Sequence, residues 1–329
     1  MTNALSTMRS RIRPTSATVR NSLSRAMSSI ASEHILPGRQ WNYRILNVVK
    51  GDNTHASTVF KAEVFPHKNV HGAPRWAIIK AASPDDAYSG LSLDREIWSY
   101  RLPGVYSAAC FRQLYDVIDK STIALEWLDT TLAEVKYQPD MRTFVLIKTF
   151  LNAALDSCVI LADQKCVNTV YPAGDRIKVQ PFAMRAPEVY LGKACTEPSQ
   201  VWAVAAMLVC WIKPSILGVQ DSPHFLLNEP WCIAKIKRLF PSWEIPTADE
   251  VEGDILKATV TCSRRISRRE EPPMQAILPF AEEMQKVDMP QQLRDLLGLM
   301  FVINPDKRPS ASSILASREF RGFEEFVEV

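Results

Sequence analysis

The chain has almost no excess of charge of either sign: 39 Lys and Arg face 36 Asp and Glu, a net +3 over 329 residues. That balance gives no footing for nucleic acid or an acidic membrane surface as the partner. The seven cysteines show no C-x-x-C spacing, which argues against a zinc site or a disulfide frame and for free thiols in a reducing compartment. Long apolar runs are missing too. Phe144 to Leu161 is interrupted by Lys148, Asn152 and Asp156, and Val201 to Ile212 is too short to cross a bilayer. Both are expected as buried core helices, with no transmembrane segment. His67 and His71 have a spacing that suits a metal, but no cysteine or acid cluster joins them, so no metal site is expected.

What is present is the composition of an ordinary globular protein, 47 % apolar and 23 % charged. The length suffices for one large domain or two lobes with a real core. Residues 1–40 read as a separate tail. They carry Arg9, Arg11, Arg13, Arg20 and Arg25 among many Ser and Thr, with no acid before Glu33. This is the composition of a mitochondrial transit peptide and equally of a disordered basic tail; the first places the protein in mitochondria, the second in cytoplasm or nucleus.

From Trp41 the pattern becomes short β-branched runs: Tyr43 to Leu46, Thr58 to Val64 and Trp76 to Lys80, broken by Gly51-Asp-Asn and by the stretch from Pro66 to Pro74. Such alternation predicts an antiparallel sheet. Leu91 to Leu102 is helical by pattern, Phe111 to Val117 and Thr122 to Leu128 are extended, and from Met141 the chain is mainly helical. The expectation is therefore α+β, with a β-rich part over 41–128 and a helical part over 129–327. Cys262 to Pro273 reads as a solvated basic-then-acidic loop, and the aromatics Trp231, Phe240 and Trp243 as core.

Several motifs resemble the protein kinase family. Ala186-Pro-Glu188 stands where that family closes its activation segment, and Asn304-Pro-Asp-Lys-Arg-Pro309 carries the Arg that pairs with the Glu, here Arg308 with Glu188. Trp76-Ala-Ile-Ile-Lys80 matches the Val-Ala-Ile-Lys strand. Ser199-Gln-Val-Trp-Ala-Val-Ala-Ala206 has the shape of the Asp-x-Trp-x-x-Gly core helix, with Gln200 and Ala205 in place of the Asp and Gly. Leu293 to Phe301 and Ser310 to Leu315 resemble the closing helices, and residues 213–250 resemble the insert-bearing large lobes of kinases related to the SR-protein kinases.

The resemblance implies a bilobal fold with a small β-rich N-lobe and a larger helical C-lobe. It implies transfer of the ATP γ-phosphate, with magnesium, to Ser or Thr of a protein substrate. Carried over residue by residue, Lys80 would contact the α- and β-phosphates and Glu96 would pair with it. Glu126 and Leu128 would belong to the hinge, and Gly51 to the phosphate-covering loop, where it is the single glycine of Lys50 to Ala62. His55 in that loop is expected to be solvated.

The catalytic face departs from the family, because the chain contains neither His-Arg-Asp nor Asp-Phe-Gly. From Glu126 to Glu188 it is about two dozen residues shorter than a lobe with all these parts. One alternative keeps Asp163 as base and Asn168 as metal ligand, with Gln180-Pro-Phe-Ala183 a decayed Asp-Phe-Gly. The favoured one has the catalytic loop and metal motif deleted between Thr169 and Tyr171, leaving Asp175 a turn residue. The expectation is thus a kinase-like protein, a pseudokinase or a truncated form of an active kinase, that binds ATP or a protein partner with weak or no transfer. An active Ser/Thr kinase using Asp163 and a pure binding scaffold are the alternatives.

Overall fold

The computed structural model describes residues 34–49, 57–67, 72–83, 87–167, 171–172, 180–270 and 273–328. The basic tail through Glu33, Gly51, His55, His71, Asn168 and Asp175 lie outside them. The chain divides into two compact units, one running to Ile97 and including Gln113–Trp127, the other made of Trp98–Arg112 and Leu128 onward. The architecture is α+β.

The first unit is a six-stranded antiparallel sheet: β1 (Ile35–Pro37), β2 (Trp41–Val48), β3 (Ser57–Pro66), β4 (Trp76–Ala82), β5 (Leu114–Asp119) and β6 (Thr122–Glu126), in the order β1-β2-β3-β4-β6-β5. Period-two alternation puts Tyr43 and Ile45, Phe60, Ala62 and Val64, and Ala77 and Ile79 on one buried face. Lys80 falls on the opposite face, opposite Val59 on one side and Ile123 on the other. Helix α1 (Ala87–Tyr100) follows β4. Its Ser89, Leu93 and Ile97 are buried, a spacing of one helical face, and Ser89 Oγ accepts from Ser83 N at 3.0 Å.

The sheet starts ahead of Trp41, since Ile35–Pro37 pairs with β2. The turn between them closes on a buried carboxylate: Asp116 accepts from Tyr43 Oη at 2.7 Å, Arg39 N at 3.1 Å and Gln40 N at 3.2 Å. Burial, then the hydrogen bond to Asp116, pushes the Tyr43 phenol far above its usual range. His67 is held beside this turn by Gly38 O at 3.2 Å, a fastening role in the sheet.

In the second unit, α2 (Met141–Asp163) leads to a short hairpin of β7 (Cys166–Val167) and β8 (Tyr171–Pro172). Then come α3 (Pro187–Tyr190), α4 (Glu197–Ile212), α5 (Asn228–Leu239), α6 (Asp254–Ser267), α7 (Phe280–Gln285), α8 (Gln291–Met300), α9 (Ala311–Leu315) and α10 (Arg318–Glu328). By length and composition α2 could cross a membrane, but Phe144, Ile147, Leu151, Leu155 and Cys158 form a stripe packed into this unit's core. Asp140 caps the helix, accepting from Thr143 N at 2.8 Å. Helix α4 is apolar nearly all round and buried accordingly, with Trp202 packed against Phe240 and Phe301.

One segment differs from the sequence reading. Cys262 to Ser267 is not loop but the last turns of α6, with Thr259, Val260, Ser263, Ile266 and Ser267 buried. Those positions recur at helical spacing, and the small polar Ser263 satisfies its hydroxyl on Thr259 O at 2.7 Å. The solvated impression came from the arginines on the opposite face.

Candidate functional site

In the first unit, Lys80 Nζ donates to Glu96 Oε2 in an ion pair whose side chains are both mostly shielded from solvent. Strand β4 supplies the lysine from the face opposite the apolar core, and α1 supplies the glutamate from the turn that also buries Leu93 and Ile97. A fixed ammonium with one carboxylate partner keeps spare donors for an anionic group. Asp94, two residues before Glu96 on α1, is exposed. Glu126 ends β6; its carboxylate accepts from Gln113 N at 3.2 Å and its own N–H donates to Gln113 O.

In the second unit, Leu128 is exposed. Glu188 and Arg308 are both 4 % exposed and meet in a two-point pair, Nη1 to Oε1 at 2.8 Å and Nη2 to Oε2 at 3.1 Å. Arg308 also donates to the carbonyls of Val302, Ile303 and Pro198, so all five of its N–H groups have acceptors. Glu188 receives a third hydrogen bond from Ser199 Oγ at 2.7 Å. A buried charge pair with its remaining donors and acceptors satisfied is the arrangement in which desolvation is offset.

Upstream of that pair, Gln180 is buried and both ends of its amide are occupied: Nε2 donates to Ser199 O at 2.9 Å and Oε1 accepts from Ala186 N at 3.0 Å. Its carbonyl accepts from Arg185 Nε and Nη2, and Arg185 also reaches Glu229 on α5. Gln180 therefore acts as an internal bolt of the segment 180–190. Buried Gln200 stands in the first turn of α4.

Asp163 is the last residue of α2 and its side chain is exposed. The chain turns next at Lys165, whose φ of 54° is left-handed, and enters β7. Val167 then pairs with Tyr171, so three residues connect the hairpin strands.

Sequence reasoning singled out Glu188 and Arg308 but missed Ser199, which bonds Glu188, and the role of Gln180 in tying Ser199 to Ala186; their residue types carry no positional signal. It also missed Lys235, fully buried on α5, which donates to Ser215 O at 2.7 Å and pairs with Asp221. A lysine inside the apolar run Trp231 to Ile236 was the available clue. Lys235 fixes the loop after α4, and in that loop Gly218, at φ +82°, lies so close to Ala183 that an added Cβ would stand 2.9 Å from the alanine methyl. The loop thereby buttresses segment 180–190.

No family model matches this chain, and no curated protein matches it.

Proposed function

We propose that the chain is a protein-kinase-like protein of the Ser/Thr type, with the sheet unit as its small lobe and the helical unit as its large lobe. It holds a nucleotide or a protein partner and does not transfer phosphate efficiently. The observation that carries this is the Lys80–Glu96 ion pair, formed between a strand of an antiparallel sheet and the helix that follows it. Phosphoryl transfer by kinases depends on a strand lysine held by a helix glutamate, which positions and neutralises the nucleotide phosphates. The Glu188–Arg308 pair, which fixes the Ala-Pro-Glu segment, supports the same assignment.

Transfer needs more than binding. It needs a group to accept the hydroxyl proton and an aspartate to hold magnesium, and the sequence has neither His-Arg-Asp nor Asp-Phe-Gly. Using Asp163 as base would ask Gln180 to stand near the metal, and its amide is occupied by backbone partners. ATP would therefore bind through its phosphates on Lys80 with little help from magnesium.

A thermal-shift titration tests this. Millimolar ATP is expected to raise the melting temperature by about 3 °C, a shift that a ligand at several times its Kd gives a unit of this size. The shift is expected to be equal in magnesium and in EDTA, and lost in Lys80→Met. No shift in the wild-type protein would remove nucleotide binding from the proposal.

A further inference from the structure

The second unit contains a cavity of about 340 Å³ between the C-terminal ends of α5 and α6 and the turn before α7. It belongs to neither the Lys80 nor the Glu188 cluster. Its apolar lining comes from Pro241, Ile245, Ile277, Leu278 and Pro279, above a small buried cluster of Trp231, Ala234, Ile266 and Met274. The polar lining is strongly one-sided: Lys237, Arg238, Arg264 and Arg268 against one carboxylate, Glu244.

Basic residues in the last turn of a helix offset its dipole, and that accounts for some of these. It does not account for four cations from two helices converging on one concavity with an apolar floor. Three are partly engaged: Lys237 Nζ donates to Pro241 O at 2.8 Å, Arg264 Nη1 to Ile245 O at 2.6 Å and Arg238 Nη2 to Gln275 O at 3.0 Å. Arg238 Nε is buried with no hydrogen-bond partner among the described residues. The chain's own carboxylate already shows what the site favours. Glu244 accepts from Lys237 Nζ at 2.6 Å, and that hydrogen bond, then the charges of Lys237, Arg264 and Arg268, holds its carboxyl below the ordinary range. A separate, more open depression along α6 is lined by Lys257 and Arg265.

We propose that this cavity docks an acidic peptide segment of a partner protein, with one apolar side chain on the Ile245–Ile277–Leu278 floor and flanking carboxylates against Lys237, Arg264 and Arg268. The volume is at the small end for ligand sites and suits a side-chain anchor rather than a whole cofactor. Four cations around one apolar floor suit an apolar anchor flanked by several carboxylates. The site lies inside one unit and is independent of nucleotide binding.

The test is fluorescence anisotropy with a fluorescein-labelled octapeptide, Glu-Glu-Asp-Leu-Phe-Asp-Glu-Glu. Saturable binding is expected, weakened about tenfold when the central Leu-Phe is replaced by Ala-Ala, as the loss of buried apolar area dictates. Arg268→Glu should weaken it about fivefold or more, through charge reversal at the rim. Glu244→Ala should tighten it about twofold or more by removing the competing carboxylate. Both side chains are exposed, so neither change should move the melting temperature. Absent binding, equal binding of a peptide with lysine in place of each acid, or indifference to Arg268→Glu would overturn the proposal. So would adsorption to phosphatidylserine vesicles without any binding of the peptide.

Discussion

At the scale of single residues, the account turns on how completely Arg308 is satisfied. Its five donors meet Glu188 and three carbonyls, so removing it strands a buried carboxylate and frees acceptors at two chain segments. Arg308→Ala is expected to destabilise the helical unit by about 3–5 kcal/mol, lowering its melting temperature on the order of 10 °C. Arg308→Lys should recover little, because one ammonium cannot span both carboxylate oxygens and three carbonyls. Glu188→Gln keeps the shape and loses the charge, leaving the guanidinium buried without its counter-ion, so a loss of similar sign is expected. Calorimetry of the three variants checks the ordering; an Arg308→Ala melt indistinguishable from wild type would show that the pair is incidental.

At the scale of elements, the strands and long helices were legible because their periods are clean. Phe60, Ala62 and Val64 alternate, and Leu151, Leu155 and Cys158 recur at helical spacing. Helix α6 was not legible, since Arg264, Arg265, Arg268 and Arg269 dominate the local composition while the buried stripe is made partly of Thr and Ser. Nor was β1, three residues whose place is set by a long-range partner, the buried Asp116. Of the candidate site, charged residues in recognisable motifs could be read; Gln180, Ser199 and Lys235 could not, because their roles depend on neighbours brought in by folding. Gly38 gives an element-level prediction. A Cβ there would stand 2.5 Å from Asp116 Oδ2 and 2.5 Å from Trp41 O, one of them backbone. Gly38→Ala should therefore loosen β1 and the turn onto Asp116. Amide exchange at Ile45 and Gly38, whose N–H groups bond His34 O and Trp41 O, should accelerate at least about tenfold, the effect of a local opening made easier by about 1.4 kcal/mol. Unchanged exchange would mean that the turn absorbs the methyl.

At the scale of the whole molecule, the two units carry different parts of the proposed function. The sheet unit holds the Lys80–Glu96 ion pair, to which the proposal gives the nucleotide phosphates. The helical unit holds a rigid segment around Glu188 and the basic cavity of α5 and α6. On the proposed function, phosphate binding without the base and the metal-holding aspartate would make the protein a binder whose output is a partner rather than a phosphorylated product. Sequencing the transcript and genomic locus across Thr169–Tyr171 bears on how this arose; an uninterrupted reading there is expected for a settled pseudokinase, and recovered catalytic motifs for a truncated enzyme.

The central claim is tested most directly by transfer of radiolabelled γ-phosphate from ATP, with magnesium, to a mixed Ser/Thr protein substrate, the wild-type chain being compared with Lys80→Met and Asp163→Asn. The account predicts incorporation by the wild-type protein no greater than by either variant. Magnesium-dependent incorporation that disappears in Lys80→Met would contradict it, and additional loss in Asp163→Asn would identify the base.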